Sequence, residues 1–290
     1  MKNILIKTAP SLHEFRYVEQ LNSKIEIQLL KSFIDQPDSI EDWFDYLTKE
    51  SNSEIVIIHS PLNQGDDIDW DDLLEPEILN IVHQTCQLGE RLAHYYQRPM
   101  PVVFHFGGNT EKIKNTPILK QAYLETIQEL LVSYPNVHFY LENVVIVDVN
   151  KARGVRRYRE ADVSTVVDFV CWLREELNAS KRFYTVLDTC HALMSIRLLN
   201  AINLAMELEE FFKTHQKTCG LIHLANCTNF GFGDDHGTPF TSKDQALLEE
   251  IVALYRQYQY DVPVTLELRE ESYTNYQNYL LTTQTLKAIG

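Results

Sequence analysis

Six consecutive apolar runs in this chain close on a residue able to bind a metal ion. IVIIHSP ends with His59, PVVFHFGG with His105 and HFYLEN with Glu142. TVLDTCHA ends with Asp188 and His191, GLIHLANC with His223 and VTLELRE with Glu267, while GDDHGTPF adds Asp234 and His236. Imidazole and carboxylate donors without thiolate suit zinc, and also manganese or iron. A catalytic zinc uses three protein ligands and keeps a position open, so nine donors imply two or three ions with a bridging carboxylate. Such a cluster generates hydroxide at neutral pH and neutralises the attacking and leaving oxygens of a phosphoester. Taken singly, a His or Asp at the end of an apolar run is more often a satisfied polar residue than a ligand. The weight lies in the set, which takes five of the ten histidines in the chain.

The elements that must position this set follow from hydrophobic period. Short β-rich runs alternate with helical patterns from end to end, the signature of βα units around a parallel sheet. Strands are predicted at Asn3–Lys7, Ile25–Leu29, Ile55–Ile58, Val102–Phe104, His138–Leu141, Thr185–Leu187, Leu221–Leu224 and Val264–Leu268. Between them, apolar residues recur at helical spacing, as in Ile78, Ile81, Val82, Leu88 and Leu92, or Leu247, Leu248, Ile251, Val252 and Leu254. No Gly-rich phosphate turn follows the first strand, so a closed (β/α)8 TIM barrel is favoured over an open doubly wound sheet. One barrel domain is expected over residues 1–290, and in such a barrel the chemistry sits where the strands end.

Composition narrows the function. At 290 residues and 44% hydrophobic the chain can build one large core. A formal charge of -15 argues against broad binding to a phosphate backbone, so any nucleic-acid contact must be local. No apolar run reaches the roughly 18 residues of a membrane span, and Met1–Thr8 lacks a signal-peptide pattern, so a soluble cytoplasmic protein is expected. Nothing in the sequence fixes an oligomeric state. Five cysteines without a CxxC pair argue against a disulfide framework or a thiolate zinc finger.

The ligand segments resemble the endonuclease IV family of zinc-dependent apurinic endonucleases (AP endonuclease family 2), within the wider xylose-isomerase-like barrel group. The resemblance spans Ile55 to Glu267 and is strongest in LDTCHA (Leu187–Ala192) and IHLANCTNFGFGDDH (Ile222–His236); HFG (His105–Gly107) and LEN (Leu141–Asn143) are shorter matches. It implies that His59, His105 and Glu142 hold one ion, that Glu142, Asp188, His223 and Glu267 hold a second, and that His191, Asp234 and His236 hold a third. Glu142, Glu267 and His105 are then the expected catalytic residues of a phosphodiesterase, with abasic DNA the family's substrate. In that family a bridging hydroxide attacks phosphorus and the third ion stabilises the leaving oxygen.

The departures bear on substrate. The family's His-Pro-Gly reads His105-Phe106-Gly107, its Asp-Arg-His reads Asp234-Asp235-His236, and its Gly-Glu-Gly reads Thr238-Pro239-Phe240. An aromatic DNA-penetrating loop is replaced by SPLNQGDDIDWDDLLEPE (Ser60–Glu77), whose seven carboxylates would face a duplex with negative charge. As local structure this stretch reads as a solvated loop and helix start, and it lacks the turn glycine of a calcium loop. NKARGVRRYRE (Asn150–Glu160) runs the other way, setting Arg153, Arg156, Arg157 and Arg159 around Tyr158. Arginine forks bind phosphate and Tyr stacks on bases, which fits an anion handle for a phosphoester substrate; the alternative is an exposed charged loop.

Other candidates carry less. His83 and His94 fall on a helix and His138 within a strand, where packing or surface roles are expected, and Cys190 between two ligands suits a small buried side chain. Two rival functions remain. A sugar or sugar-phosphate isomerase or epimerase of the same barrel group would use one divalent ion at Glu142, Asp188, His223 and Glu267, but has no use for the other five donors as a set. A non-catalytic binding protein would keep the metals as structural clips with closed coordination.

Overall fold

The computed structural model describes residues 1–290 apart from 2, 23, 63–68, 108–109, 145–146, 151–154, 159–162, 199–203, 228–235, 273–274 and 290. The eight β-rich runs are parallel strands: β1 (Ile4–Thr8), β2 (Lys24–Leu30), β3 (Glu54–Leu62), β4 (Met100–His105), β5 (Val137–Glu142), β6 (Phe183–Asp188), β7 (Cys219–Leu224) and β8 (Val264–Leu266). They pair in chain order and β8 returns to β1, closing a (β/α)8 barrel. Helices fill every crossover, among them Pro37–Lys49, Pro76–Tyr96 and Pro117–Ser133, each opening on a proline where the first turn needs no amide donor. No helix among the described residues is long and apolar enough to cross a membrane.

Strand ends differ from the sequence expectation in informative ways. Asn3 lies in the left-handed region at φ 53°, which Asn tolerates, so β1 starts one residue later. The ladder of β8 ends at Leu266 rather than Leu268, yet the Glu267 amide still donates to the Leu224 carbonyl at 3.2 Å, so Glu267 is held at the sheet's edge.

Period-two alternation divides each strand between two cores. Outward residues such as Ile27, Ile58, Phe104, Phe139, Leu187 and Ile222 join the layer under the helices. Inward residues Leu5, Ile57, Val103, Tyr140, Val186 and Leu221 form a separate cluster inside the barrel. The ring of Tyr140 lies against Gly220, where any side chain would overlap it.

A buried polar knot lies on the flank of β6. His215 is fully buried; its Nδ1 contacts Thr185 Oγ1 at 2.9 Å, Thr185 contacts Thr218 at 3.0 Å, and His215 Nε2 has no partner. Burial lowers its pKa to about 3, from an ordinary 6.5. The folded state therefore holds His215 neutral while the unfolded chain takes up a proton below about pH 6.5, so stability falls as pH drops from there towards 3. Between pH 7 and pH 4 this one group should cost about 3 kcal/mol, measured by denaturant unfolding, and His215→Asn should flatten that dependence. An unchanged slope in the variant would refute the assignment.

Candidate metal centre

The next inward position up each strand is polar. Two residues beyond Leu5, Ile57, Val103, Tyr140, Val186 and Leu221 stand Lys7, His59, His105, Glu142, Asp188 and His223; β2 supplies Glu26, and Glu267 follows β8. Each strand thus contributes one side chain to the layer, and the strand register brings neighbours together. His105 is the direct Cα partner of Glu142, and Asp188 that of His223.

Glu142 is the hub. Its Oε2 lies 3.1 Å from His59 Nε2, 3.3 Å from His223 Nδ1 and 3.9 Å from His105 Nε2, and its Oε1 lies 3.2 Å from His191 Nδ1. His223 Nδ1 also faces Glu267 Oε2 at 2.5 Å and Asp188 Oδ2 at 3.9 Å. Two compact donor sets result: His59, His105 and Glu142, and Glu142, Asp188, His223 and Glu267, with the donor atoms of each set within 4.8 Å of one another. Both are the groupings that the sequence resemblance implies, joined at Glu142.

Neighbouring groups tie one atom of several donors and leave its twin without a hydrogen bond. Asp188 closes β6 and its Oδ1 accepts the His191 amide at 2.5 Å, capping the helix Thr189–Leu198, while Oδ2 has no hydrogen-bond partner. Asn143 fixes the same turn, accepting the Asp188 amide at 2.8 Å and donating to its carbonyl at 3.1 Å. Lys7 holds Glu267 Oε1 at 2.7 Å and leaves Oε2 without a hydrogen bond. Glu142 Oε1, His223 Nδ1 and His236 Nε2 are likewise buried without a hydrogen-bond partner. Orphaned donors of this kind are costly to bury unless something binds them, and a divalent cation fits the set.

Electrostatics point the same way. Burial opposes charge throughout, but His223, His191 and His59 together hold Glu142 well below the ordinary carboxylate range, and Lys7 and His223 do so for Glu267. His223 is raised well above the usual histidine value against its burial by Glu26, Glu267 and Glu142. Burial, with Glu142 and Glu267, pushes Asp188 up to about 6; His191 rises to about 9 despite burial, through Asp188 and Glu142. Protons on His223 and His191 balance the carboxylates, the role a cation would assume. His59, Glu142, Asp188 and His223 are fully buried, whereas His105 at 8%, His191 at 9% and the Glu267 side chain at 16% retain exposure, which marks the open edge.

The third expected ion position is less complete. His191 and His236 lie with ring centroids 4.7 Å apart, and His236 forms a further donor set with Asp188 and buried Cys190. Asp234 lies outside the described residues. Cys190 contacts Met194 Sδ at 3.9 Å and, with the other four cysteines, is free of disulfide.

In the acidic segment after β3, residues 63–68 lie outside the described ones and Glu75 and Glu77 are exposed where a helix starts, as expected, but the stretch around Trp70 is not solvated. Asp69 and Asp71 are buried, and Asp71 accepts the Gly107 amide at 2.6 Å, at a position where any side chain on residue 107 would collide with both aspartates. Trp70 explains this: it is fully buried against Phe104 and Phe139, centroids 4.9 and 5.3 Å away, and drags its neighbours under the rim. Val147–Asn150 and Val155–Tyr158 pair as an antiparallel hairpin that includes the backbone of Arg156, Arg157 and Tyr158, while Arg153 and Arg159 lie outside the described residues. His83 contacts Tyr134 Oη at 3.0 Å, His94 pairs with Glu90 at 3.3 Å, and His138 stacks on Tyr184.

Sequence reading missed Lys7, Glu26 and the clamp made by Asn143. The signal was present for the first two: a charge in phase with the inward positions of the otherwise apolar runs ILIKT and KIEIQLL.

The fold is that of a (β/α)8 TIM barrel. Solved structures similar to it include the IOLI protein with a bound zinc atom, at TM-score 0.59 and 12% identity over 99% of this chain and 97% of that one. Endonuclease IV from Thermus thermophilus matches at TM-score 0.57 and 15% identity over 99% of both chains. D-allulose 3-epimerase from Methylomonas sp. in complex with D-allulose matches at TM-score 0.57 and 13% identity, over 100% of this chain and 97% of that one. No family model and no curated protein matches the sequence.

An ion entering this centre has to displace protons, because ligating imidazoles must be neutral. With His191 raised to about 9, zinc affinity should climb from pH 6 towards pH 9, by about tenfold per unit for each proton displaced. Calorimetry in buffers of different ionisation enthalpy reads that proton release directly; pH-independent binding without proton release would contradict it.

Proposed function

We propose that the protein is a metal-dependent hydrolase of phosphoester bonds, working as a phosphodiesterase of the endonuclease IV kind. One observation carries the reading: two donor sets meet at a single buried carboxylate, Glu142, so two ions would lie side by side. Zinc fits the imidazole and carboxylate donors, with manganese or iron as substitutes. Bound there, the ions would supply Lewis acidity and a water ionised at neutral pH. Glu142 would bridge them, His59 and His105 would complete one position, and Asp188, His223 and Glu267 the other. His191, His236 and Asp234 would extend the set to a third ion. The partly exposed edge at His105, His191 and Glu267 is where a phosphoryl group would enter.

Abasic DNA is the finer version of this reading. The likeness to endonuclease IV supports it, as does the arginine hairpin, where Arg153, Arg156, Arg157, Tyr158 and Arg159 would serve as the anion handle. The acidic stretch weighs against a duplex, since its one aromatic residue, Trp70, is buried and cannot stack on a base. A second reading has its own support. Glu142, Asp188, His223 and Glu267 suffice for the single ion of a sugar isomerase or epimerase, and an epimerase matches the fold as well as the nuclease does.

The zinc-loaded protein should carry more than one metal equivalent and cleave bis(4-nitrophenyl) phosphate, with both properties lost in Glu142→Ala. An abasic oligonucleotide tests the finer version. A single equivalent together with epimerisation of a ketose would establish the second reading instead. Replacing the hairpin arginines should weaken anionic-substrate binding and flatten its salt dependence; an unaltered salt slope removes the hairpin from the site.

A further inference from the structure

Two charged residues of the inner ring belong to neither donor set that meets at Glu142. Lys7 and Glu26 come from the first two strands, Glu26 fully buried and the Lys7 side chain 9% exposed, and touch each other as well as the ligand candidates. Glu26 Oε1 and Oε2 lie 3.1 and 3.2 Å from His223 Nε2, the ring nitrogen opposite the one that faces Glu267, Glu142 and Asp188. Thr265 donates to Glu26 Oε2 at 2.6 Å, and Lys7 Nζ approaches Oε1 at 3.5 Å. The same Nζ binds Glu267 Oε1 at 2.7 Å.

We infer that Lys7 and Glu26 are positioning residues that form an outer shell, orienting His223 and Glu267 toward the metal and setting the charge the ion meets. The inference rests on the metal centre of the proposed function and goes beyond it. A carboxylate behind a ligating imidazole fixes which nitrogen carries the proton and makes the other a better donor. With an ion bound, Glu26 would take the Nε2 hydrogen and leave the Nδ1 lone pair to the ion, on the side where three carboxylates converge. Thr265 and Lys7 in turn prevent Glu26 from rotating. On the other flank, the ammonium occupies one oxygen of Glu267 and leaves Oε2 as its ligating atom. Glu26, His59 and His223 also form a compact donor set. Against a metal there, His59 Nδ1 and Nε2 lie 3.0 Å from the Ser60 carbonyl and 3.1 Å from Glu142, while Glu26 is engaged by Thr265 and Lys7.

The two charges act in opposite directions on a cation, which separates this role from a structural one. Glu26→Gln removes a negative charge and the proton acceptor behind His223, and should weaken Zn2+ binding by about 10- to 100-fold. Lys7→Met removes a competing cation and frees the second oxygen of Glu267, and should tighten it. Competition between the full-length protein and a chromogenic chelator for Zn2+ alone gives both affinities. The visible d–d bands of the Co2+-loaded protein should shift in Glu26→Gln as His223 loses its fixed tautomer. Thr265→Val, a near-isosteric change, should weaken Zn2+ binding less than Glu26→Gln and add little to it in the double variant, since both act through one contact. Glu26→Gln binding Zn2+ like wild type, or Lys7→Met and Glu26→Gln weakening it alike in step with thermal stability, overturns the inference. Wild-type protein that takes up no Zn2+ refutes the metal centre itself, a different result from either.

Discussion

Four carboxylates, three histidines and one lysine share the interior of this barrel, and removing that many charged and polar groups from water is tolerable only if each has a partner. That constraint organises the structure. Inward positions are apolar in the lower layer and ionisable one step up, so the charged layer has hydrocarbon beneath it and helices beyond the strands. Within the layer, partners come in pairs: Lys7 with Glu267, Glu26 with His223, His59 with Glu142. The atoms left over converge on a common volume, which is what a cation-binding site requires.

Rigidity comes from outside the ring. The helix after β6 starts on the Asp188 side chain, so its N-terminal amides and dipole favour the charged carboxylate and fix its rotamer. Asn143, one residue past Glu142, bonds both the amide and the carbonyl of Asp188, locking the ends of β5 and β6 to each other. On the opposite side, buried Trp70 and the Asp71–Gly107 hydrogen bond set the path of the chain beside His105. Asp69, Trp70 and Asp71 are thereby part of the wall.

The barrel was legible because its strands are short apolar runs broken by helical periodicity, and the donors were legible because His59, His105, Glu142, Asp188 and His223 interrupt or end those runs. Lys7 and Glu26 escaped notice for a physical reason: attention to strand ends favours ligand types, whereas these two sit within β1 and β2 and act on ligands rather than as them. Asp69 and Asp71 depart from the expected solvation because the tryptophan between them, with a large apolar face, outweighs their charge. The arginine segment pairs as a hairpin through backbone register, Val149 opposite Arg156 and Asp148 opposite Arg157, which a count of arginines does not reveal.

The tethering of single oxygens has a consequence for ionic selectivity. A carboxylate held by one oxygen, as Glu267 is by Lys7 and Asp188 by an amide, is oriented to offer a cation its other oxygen. Calcium, which seeks six to eight oxygens and welcomes chelating carboxylates, is poorly served by such a lining. Small transition ions of low coordination number lose nothing by it. By its donor chemistry the lining is better matched to small transition ions than to calcium.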